Sequence, residues 1–155
     1  MDKEKQTGVQ EKVRVEFDSY SHNEQFARVV TAVFMARLNP TMEELEDVKT
    51  AVSEAVTNCV IHGYEDKIGT IRMELACDHG LLTVEITDWG MGIGNIPQAR
   101  EPLYTSKPSK ERSGMGFTFM ETFMDSMEVC SVVGEGTTVT MKKQIGSKIL
   151  EKKVV

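Results

Sequence analysis

Alternating hydrophobic patterns predict most of the strands of this chain. VRVEF (13–17) alternates apolar and polar residues, which predicts a half-buried strand. TIRMELAC (70–77) and LLTVEIT (81–87) alternate in the same way on either side of the turn DHG, and predict two further strands. MEVCSVV (127–133) and TTVTMKK (137–143), joined by GEG, predict a closing hairpin. Strands joined by turns this short favour antiparallel pairing.

Capping boxes indicate where two helices begin. SHNE (21–24) and TMEE (41–44) each place a Ser or Thr three residues before a Glu. The first helix is expected to end before Pro40 and the second to stop at Gly63, while GMGFTFMETFMD (114–125) predicts a third helix. The first helix carries an apolar stripe that we expect to face the core, formed by Phe26, Val29, Val30, Val33, Phe34 and Leu38.

Together these elements predict an α+β fold. We expect a two-layer α/β sandwich, in which helices cover one face of a mixed, mainly antiparallel sheet. The segment 88–113, rich in Gly, Pro, Ser and Lys, is expected to be a loop with one short helix near 96–100, and a loop this long is usually functional. Residues 12–145 should form the domain, between flexible tails at 1–11 and 146–155.

Composition limits the classes of partner. The 155 residues are 40% hydrophobic and 27% charged, as expected of one globular domain. A net charge of -6 argues against direct binding of nucleic acid, which needs a basic surface. No apolar run approaches the ~18 residues of a membrane span, so we expect a cytoplasmic protein without membrane contact. Cys59, Cys77 and Cys130 lack the paired spacing of a disulfide framework and are expected to be small buried residues.

Glu54 and Asn58 are four residues apart in SEAVTNCVIHG and therefore lie on the same side of the second predicted helix. The buried face of that helix is formed by Ala51, Val52, Ala55, Val56 and Cys59. At the edge of such a face, a glutamate can accept a proton from a hydroxyl, and an asparagine carbonyl oxygen can bind Mg²⁺. The alternative is a solvated glutamate beside an asparagine that the helix merely tolerates.

TDWGMGIG (87–94) places Asp88 at the end of a predicted strand, directly before closely spaced glycines. The glycine spacing differs from that of a dinucleotide-binding loop, and no βαβ unit surrounds it. The Asp88 carboxylate can accept a hydrogen bond from an amino group, and Gly90 and Gly92 let a flat ring approach the backbone, which suits adenine. The alternative is a plain glycine-rich turn with an aspartate as turn former.

A second pair of glycines precedes the third predicted helix. In RSGMGFTFM, Gly114 and Gly116 allow backbone N–H groups to point at an anion, and the helix dipole favours negative charge at the same place. Arg112, with Lys107 or Lys110, can supply positive charge for a terminal phosphate. These features predict a phosphate site at the start of the helix.

The order of the motifs is more specific than any one of them. A last element, GEGTTV, is either a tight hairpin turn or brings the hydroxyl of Thr137 or Thr138 to the same site. Glu-x-x-x-Asn, Asp-x-Gly-x-Gly, Gly-x-Gly before a helix and Gly-x-Gly-Thr-Thr, in this order, resemble the Bergerat-type ATP-binding family. That family includes gyrase-type, chaperone-type and mismatch-repair ATPases, histidine kinases and anti-sigma-factor serine kinases. The four motifs fall at Glu54–Asn58, Asp88–Gly92, Gly114–Gly116 and Gly134–Thr138.

The resemblance implies roles for matching residues. Glu54 would be the catalytic base that engages the attacking hydroxyl, Asn58 the Mg²⁺ ligand and Asp88 the reader of adenine. Residues 95–113 would form the ATP lid, and Arg112 would neutralise the γ-phosphate. The implied ATP-binding set comprises Asn58, Asp88, Gly90, Gly92, Thr105, Lys107, Arg112, Ser113, Gly114, Met115, Gly116, Phe117, Thr137 and Thr138.

SEAVTNCVIHGY, REPLYTSKP and ERSGMGFTFME resemble one branch of that family, the sporulation anti-sigma-F serine kinases. The resemblance implies a homodimeric protein that uses ATP, forms ADP and requires Mg²⁺. It implies a sigma factor of the sigma-F type as one partner, and an anti-anti-sigma protein, phosphorylated on serine, as the other. The strand at 13–17 is a possible dimer edge, and Arg28, opposite the apolar stripe of the first helix, is expected to be exposed and to contact a partner.

Three other functions fit parts of the pattern. A stand-alone histidine-kinase-like domain typically has Asn where Glu54 stands, because an imidazole nucleophile needs no deprotonation, whereas a serine hydroxyl gains from a base. An ATPase clamp has the glutamate but needs further domains to couple hydrolysis to movement. The third alternative is another stress-type anti-sigma switch kinase, or a module that binds a sigma factor and uses ATP only as a conformational ligand.

Overall fold

A five-stranded antiparallel sheet forms one layer of the molecule. The computed structural model describes residues 10–102, apart from Asp66, and residues 116–146. The strand order is β1-β2-β3-β5-β4, and every pairing between described strands is antiparallel. The predicted mixed, mainly antiparallel sheet is therefore antiparallel throughout its described strands. The strands are β1 (Glu11–Asp18), β2 (Thr70–Asp78), β3 (Leu81–Asp88), β4 (Ser126–Val132) and β5 (Gly136–Gln144).

Helices cover one face of this sheet, which confirms the predicted α+β sandwich. The helices are α1 (Asn23–Met35), α2 (Met42–Asn58), α3 (Ile96–Ala99) and α4 (Gly116–Phe123). None of these helices is long and apolar enough to cross a membrane. The 3₁₀ turn Ala36–Leu38 extends α1, and the π-helical turn Cys59–Gly63 continues α2. The predicted stop at Gly63 and the short helix near 96–100 are therefore confirmed.

The core lies between the helices and the inner face of the sheet. Residues at alternate positions of the central strands are fully buried there, for example Met73 in β2 and Val84 in β3. The same alternation makes Asp88 the last inward-facing position of β3, where it is only 4% exposed. A carboxylate is thus placed at the end of an otherwise apolar row. Cys59 and Cys77 are buried as predicted, but Cys130 is exposed on β4.

The predicted apolar stripe of α1 is only partly right: Phe34 is buried, and Val30 and Leu38 are partly buried against the core. Phe26, Val29 and Val33 of the predicted apolar stripe are exposed, at 46%, 60% and 65%. The buried face carries Ala27, Thr31, Phe34 and Met35. Small residues at its centre let the helix pack closely on the sheet, and the Thr31 hydroxyl is satisfied locally because it donates to the Ala27 carbonyl at 2.8 Å.

The capping box predicted at Ser21 is also wrong. His22 is the residue before α1, its backbone is helical, and no side chain caps the helix. Asn23 instead donates from its amide nitrogen to the Asp18 carbonyl at 2.8 Å, which ties the helix to the end of β1. Glu24, the expected partner of Ser21, accepts a hydrogen bond from Thr57 of α2. Tertiary contacts therefore set this helix start.

The capping box at Thr41 is confirmed. The Thr41 hydroxyl accepts from the Glu44 backbone N–H at 3.0 Å, and the Glu44 carboxylate accepts from the Thr41 N–H at 2.9 Å. Glu44 is only 4% exposed and also accepts from the Gly146 N–H at 3.1 Å. This one carboxylate thus fixes both the start of α2 and the chain after β5.

Thr41→Ala should lower the free energy of unfolding by about 1 kcal/mol, because the Glu44 N–H loses its acceptor. Chemical denaturation followed by circular dichroism measures this change. Ser21→Ala is the matched control, since the structure shows no cap there, and should change stability by less than ~0.5 kcal/mol. Equal losses for the two variants would contradict the assignment.

Candidate functional site

A cavity of about 390 Å³ opens between the C-terminal half of α2, the ends of β3 and β5, the loop after β3 and the first turn of α4. Its volume falls in the range of small-molecule sites, roughly 300–1,000 Å³. The predicted site residues that line it are Asn58, Asp88, Gly92, Gly116, Phe117 and Thr137. All four sequence motifs therefore contribute to one cavity.

The Asp88 carboxylate is buried in the wall of this cavity. Its Oδ1 accepts the Gly90 N–H at 2.9 Å, and the Cys59 thiol also donates to the carboxylate. Burial raises the pKa of Asp88, while the hydrogen bonds from Gly90, Cys59 and Thr137 oppose that rise. A carboxylate in the wall of a cavity can accept a hydrogen bond from a donor group of a molecule that binds there.

Two glycines allow the backbone to close around Asp88. A side chain on Gly63 would stand 2.9 Å from the Asp88 carboxylate. A side chain on Gly90 would stand 2.0 Å from the Gly63 carbonyl oxygen, which no real structure tolerates. Gly90 therefore supports the site from behind Asp88, whereas Gly92, with φ at +77°, lines the cavity itself.

Glu54 and Asn58 lie beside the start of α4. Both are half-buried, and a side chain on Gly116 would stand 3.1 Å from Asn58 Oδ1 and 3.4 Å from Glu54 Oε2. The predicted base, the predicted Mg²⁺ ligand and the first N–H groups of a helix therefore converge. Glu54 precedes Cys59, whose thiol donates to Asp88, by five residues, a rise of about 7 Å along the helix, whereas Asn58 directly precedes Cys59.

Strand register decides between the two threonines of the last motif. Asp88 is paired directly with Thr137 and Thr87 with Thr138. Residues opposite each other in an antiparallel pair share a face. Thr137 therefore lines the cavity, whereas the Thr138 hydroxyl lies 3.0 Å from the Thr87 hydroxyl on the other face. The prediction that Thr138 belongs to the ATP site is corrected.

Of the remaining predicted ATP-binding residues, one lines the cavity and six lie outside the described part of the chain. Phe117, 9% exposed, lines the cavity from α4. Six members of the implied ATP-binding set lie outside the residues that the structure describes, and stay predictions: Thr105, Lys107, Arg112, Ser113, Gly114 and Met115.

Arg28 is half-buried rather than exposed. Its guanidinium donates to the Ser53 hydroxyl at 2.7 Å and to the Lys49 carbonyl at 3.5 Å, both on α2. The prediction that Arg28 is exposed is wrong, because the buried face of α1 is rotated towards Ala27 and Thr31 relative to the predicted stripe. With Ala27 at the centre of that face, Arg28 lies at its margin, against α2.

Several residues that line the cavity were missed by sequence reasoning, and three of them lie in the π-helical turn that continues α2. Cys59, His62 and Gly63 all follow Asn58 within little more than one helical turn. Burial, together with the neighbouring Asp88, raises the pKa of the Cys59 thiol well above its usual value, so it stays protonated and donates. Its position directly after Asn58, on the buried side of α2, was the signal available in the sequence.

The groups present fit a nucleotide with Mg²⁺ better than a metal bound by protein alone. Among the described residues, no group of three or more His, Cys, Asp or Glu side chains is placed to hold a metal ion. Mg²⁺ commonly takes one or two protein oxygens and completes its shell with phosphate and water. The single amide oxygen of Asn58 beside an anion-favouring helix start matches that arrangement.

Comparison with known proteins identifies the family. The family described as "Histidine kinase-like ATPase domain" matches residues 18–143. The anti-sigma F factor of Clostridium beijerinckii is 58% identical over 134 residues, which cover 86% of this chain and 94% of that protein. This chain belongs to the anti-sigma F factors of the histidine kinase-like ATPase family. The resemblance drawn from the motifs is confirmed.

Further relatives agree. The anti-sigma F factor of Thermoanaerobacter sp. is 54% identical over 135 residues, covering 87% of this chain and 94% of that protein. A solved structure of the RsbU and RsbW domains of Rv1364c from Mycobacterium tuberculosis matches with a TM-score of 0.61 at 19% identity. That match covers 87% of this chain and 32% of the other, and supports the fold alone.

Asp88→Asn should weaken ATP binding by about 10- to 100-fold, as measured by calorimetry. The Gly90 N–H would hold the Asn carbonyl oxygen, so the amide NH₂ would face the amino group of adenine. Because burial raises the pKa of Asp88, the ionised carboxylate destabilises the nucleotide-free fold at neutral pH; the variant removes that charge but also removes one acceptor of the hydrogen bonds from Cys59 and Thr137.

Asp78→Asn is the matched control, since Asp78 lies on the surface at the far end of β2. It should bind ATP as the unmodified protein does. Wild-type ATP affinity in a correctly folded Asp88→Asn variant would refute the role of Asp88.

Proposed function

We propose that this protein is an anti-sigma factor and an ATP-dependent protein serine kinase of the cytoplasm. It binds and inhibits a sporulation sigma factor of the sigma-F type, and it phosphorylates a serine of the anti-anti-sigma protein that opposes it. The observation that carries the proposal is one cavity that has a buried carboxylate at Asp88 and is lined by Asn58, which lies with Glu54 beside the start of α4.

ATP fits this cavity in one direction. Asp88 accepts the amino group of adenine, and the close approach of Gly63 and Gly90 leaves the carboxylate in reach of a flat ring. The phosphates lie towards Gly116, where the N–H groups and dipole of α4 favour negative charge. The Asn58 amide oxygen would hold Mg²⁺, which would neutralise phosphate charge, and Thr137 lines the wall near Asp88. Bound Mg-ATP supplies the phosphoryl group that is transferred.

Glu54 orients the serine hydroxyl and takes its proton on a carboxylate oxygen. Its side chain stands where the start of α4 meets Asn58, so a hydroxyl approaching the terminal phosphate passes within its reach. A serine hydroxyl has a pKa far above neutrality, and a positioned base accelerates its reaction by ~10²–10⁴. This glutamate favours a hydroxyl nucleophile over the imidazole of a histidine kinase. The remaining catalysis is positioning and charge neutralisation.

Arg28 is proposed to contact a protein partner even though its guanidinium is half-buried. It binds Ser53, the residue immediately before Glu54. Glu24 accepts a hydrogen bond from Thr57, which immediately precedes Asn58. A partner that docks on α1 therefore lies one residue away, about 100° around α2, from Glu54 and Asn58.

A second copy of this chain is proposed to cover β1 and α1. In the part of the chain that the structure describes, β1 pairs with β2 alone, so its other edge offers unpaired backbone groups. Phe26, Val29 and Val33 form an exposed apolar surface, here called the α1 patch. The Phe26 ring contacts the Phe17 ring of β1 edge-on, with centroids 5.8 Å apart, so the patch and the strand edge are continuous.

Glu54→Gln should bind ATP normally but lose phosphotransfer by ~10²–10⁴, because the amide keeps the shape and lacks the basic oxygen. The assay mixes purified protein, labelled ATP, Mg²⁺ and a candidate anti-anti-sigma protein. Glu46→Gln, on the exposed side of α2, is the matched control and should retain full activity.

The position of the label distinguishes the proposed function from its alternatives. Label on serine of the anti-anti-sigma protein supports the kinase. Label on a histidine of this protein supports a histidine-kinase-like activity, and free phosphate alone supports an ATPase. Full phosphotransfer by Glu54→Gln would refute the role of Glu54.

Val33→Asp should dissociate the dimer, because a charge would be buried in the α1 patch. Sedimentation velocity should show a dimer dissociation constant raised at least ~10-fold. Val133→Asp is the matched control, since Val133 is 68% exposed and follows β4 at the opposite edge of the sheet. A dimer that survives Val33→Asp but not Val133→Asp would place the interface elsewhere.

A further inference from the structure

Tyr64 connects the end of α2 to the end of β3 through its side chain. It follows the π-helical turn directly, and its N–H donates to the Cys59 carbonyl at 3.0 Å. Its hydroxyl donates to the Thr70 carbonyl and accepts the Trp89 N–H at 2.8 Å. A single phenol oxygen thus joins the start of β2 to the residue after Asp88.

The position of this hydroxyl matters because of the strand register. The ladder between β2 and β3 ends at the pair Ile71 and Asp88. The next pair in an antiparallel ladder would be Thr70 and Trp89, and their carbonyl and N–H are the two groups that the Tyr64 hydroxyl occupies. The hydroxyl therefore stands between the strands in place of a direct backbone hydrogen bond, and ends the ladder at Asp88.

The three successive backbone N–H groups after Asp88 each donate a hydrogen bond. Trp89 donates to the Tyr64 hydroxyl, Gly90 to the Asp88 carboxylate at 2.9 Å, and Met91 to the Gly63 carbonyl at 2.9 Å. Two of the three acceptors belong to consecutive residues at the end of α2. The direction of the Asp88 carboxylate therefore depends on a backbone segment that Gly63 and Tyr64 fix.

The Tyr64 ring is fixed by its packing against Gly69. A side chain on Gly69 would stand 2.3 Å from Cε1 of the ring, so the ring packs directly over the Gly69 backbone. Burial is the main cause that raises the pKa of Tyr64, so its hydroxyl keeps the proton that it donates to Thr70. Both the ring and the hydroxyl are thus held by contacts outside the cavity.

We propose that Tyr64 is a positioning residue for base recognition, which acts by fixing residues 89–91 and through them the carboxylate of Asp88. This inference rests on the proposed ATP-binding function and deepens it. Tyr64 does not line the cavity, so it acts through Asp88 and not by touching the nucleotide. Without its hydroxyl, Thr70 and Trp89 can pair directly, which extends the ladder and shifts the backbone that aims the carboxylate.

Tyr64→Phe tests the proposal because it removes one oxygen and keeps the ring. Calorimetry should show ATP affinity about fivefold to tenfold weaker. The preference for ATP over purine riboside triphosphate, which lacks the amino group read by Asp88, should fall by a similar factor. In the phosphotransfer assay KM for ATP should rise while kcat stays close to wild type, because Glu54, Asn58 and Gly116 lie elsewhere.

Tyr20→Phe is the matched control, since Tyr20 is 46% exposed and stacks on His22 far from Asp88 in the sequence. It should change neither nucleotide affinity nor preference. Gly69→Ala is a second variant that keeps the hydroxyl and displaces the ring, and it should reduce the preference in the same direction.

The outcomes separate this inference from the proposed function. If the unmodified protein binds ATP and prefers it over the analogue, and Tyr64→Phe keeps that preference, the inference is overturned while the proposed function stands. Equal weakening for both nucleotides with a lowered melting temperature assigns Tyr64 a structural role only, and also overturns it. An unmodified protein that binds neither nucleotide refutes the proposed function, and the inference with it.

Discussion

The burial of one carboxylate organises this molecule. Asp88 ends an apolar row of β3, where an ionised group is costly unless hydrogen bonds surround it. Those hydrogen bonds come from Gly90, Cys59 and Thr137, which belong to the following loop, α2 and β5. Three separate elements must therefore meet at this point. Residues 63 and 90 are glycines because no side chain fits at the point where these elements pack together.

Much of the fold follows from the hydrophobic pattern, and one helix shows where the pattern fails. The strands and the Thr41 capping box depend on local signals, and the structure has them as predicted. In α1 the predicted stripe is divided: Phe26, Val29 and Val33 are exposed, whereas Phe34 lies on the buried face. Hydrophobicity alone favours the larger side chains, but close packing on a sheet favours small residues such as Ala27, and only tertiary structure decides which face is buried.

The candidate site was predictable where helical spacing or strand alternation fixes a direction. The pair Glu54 and Asn58 and the inward position of Asp88 follow from those periods. The choice between Thr137 and Thr138 did not, because it depends on which residue lies opposite Asp88 in β5. The role of Tyr64 could not be predicted for the same reason, since its hydroxyl links segments that are 25 residues apart in the chain.

The cost of burying Asp88 also ties the stability of this protein to its ligand. Burial raises the pKa of the Asp88 carboxyl, so the ionised group leaves the unliganded fold less stable than its packing alone would make it. A ligand that binds the folded chain and not the unfolded one raises the free energy of unfolding by mass action. Occupancy of this one cavity would therefore govern resistance to unfolding as well as activity.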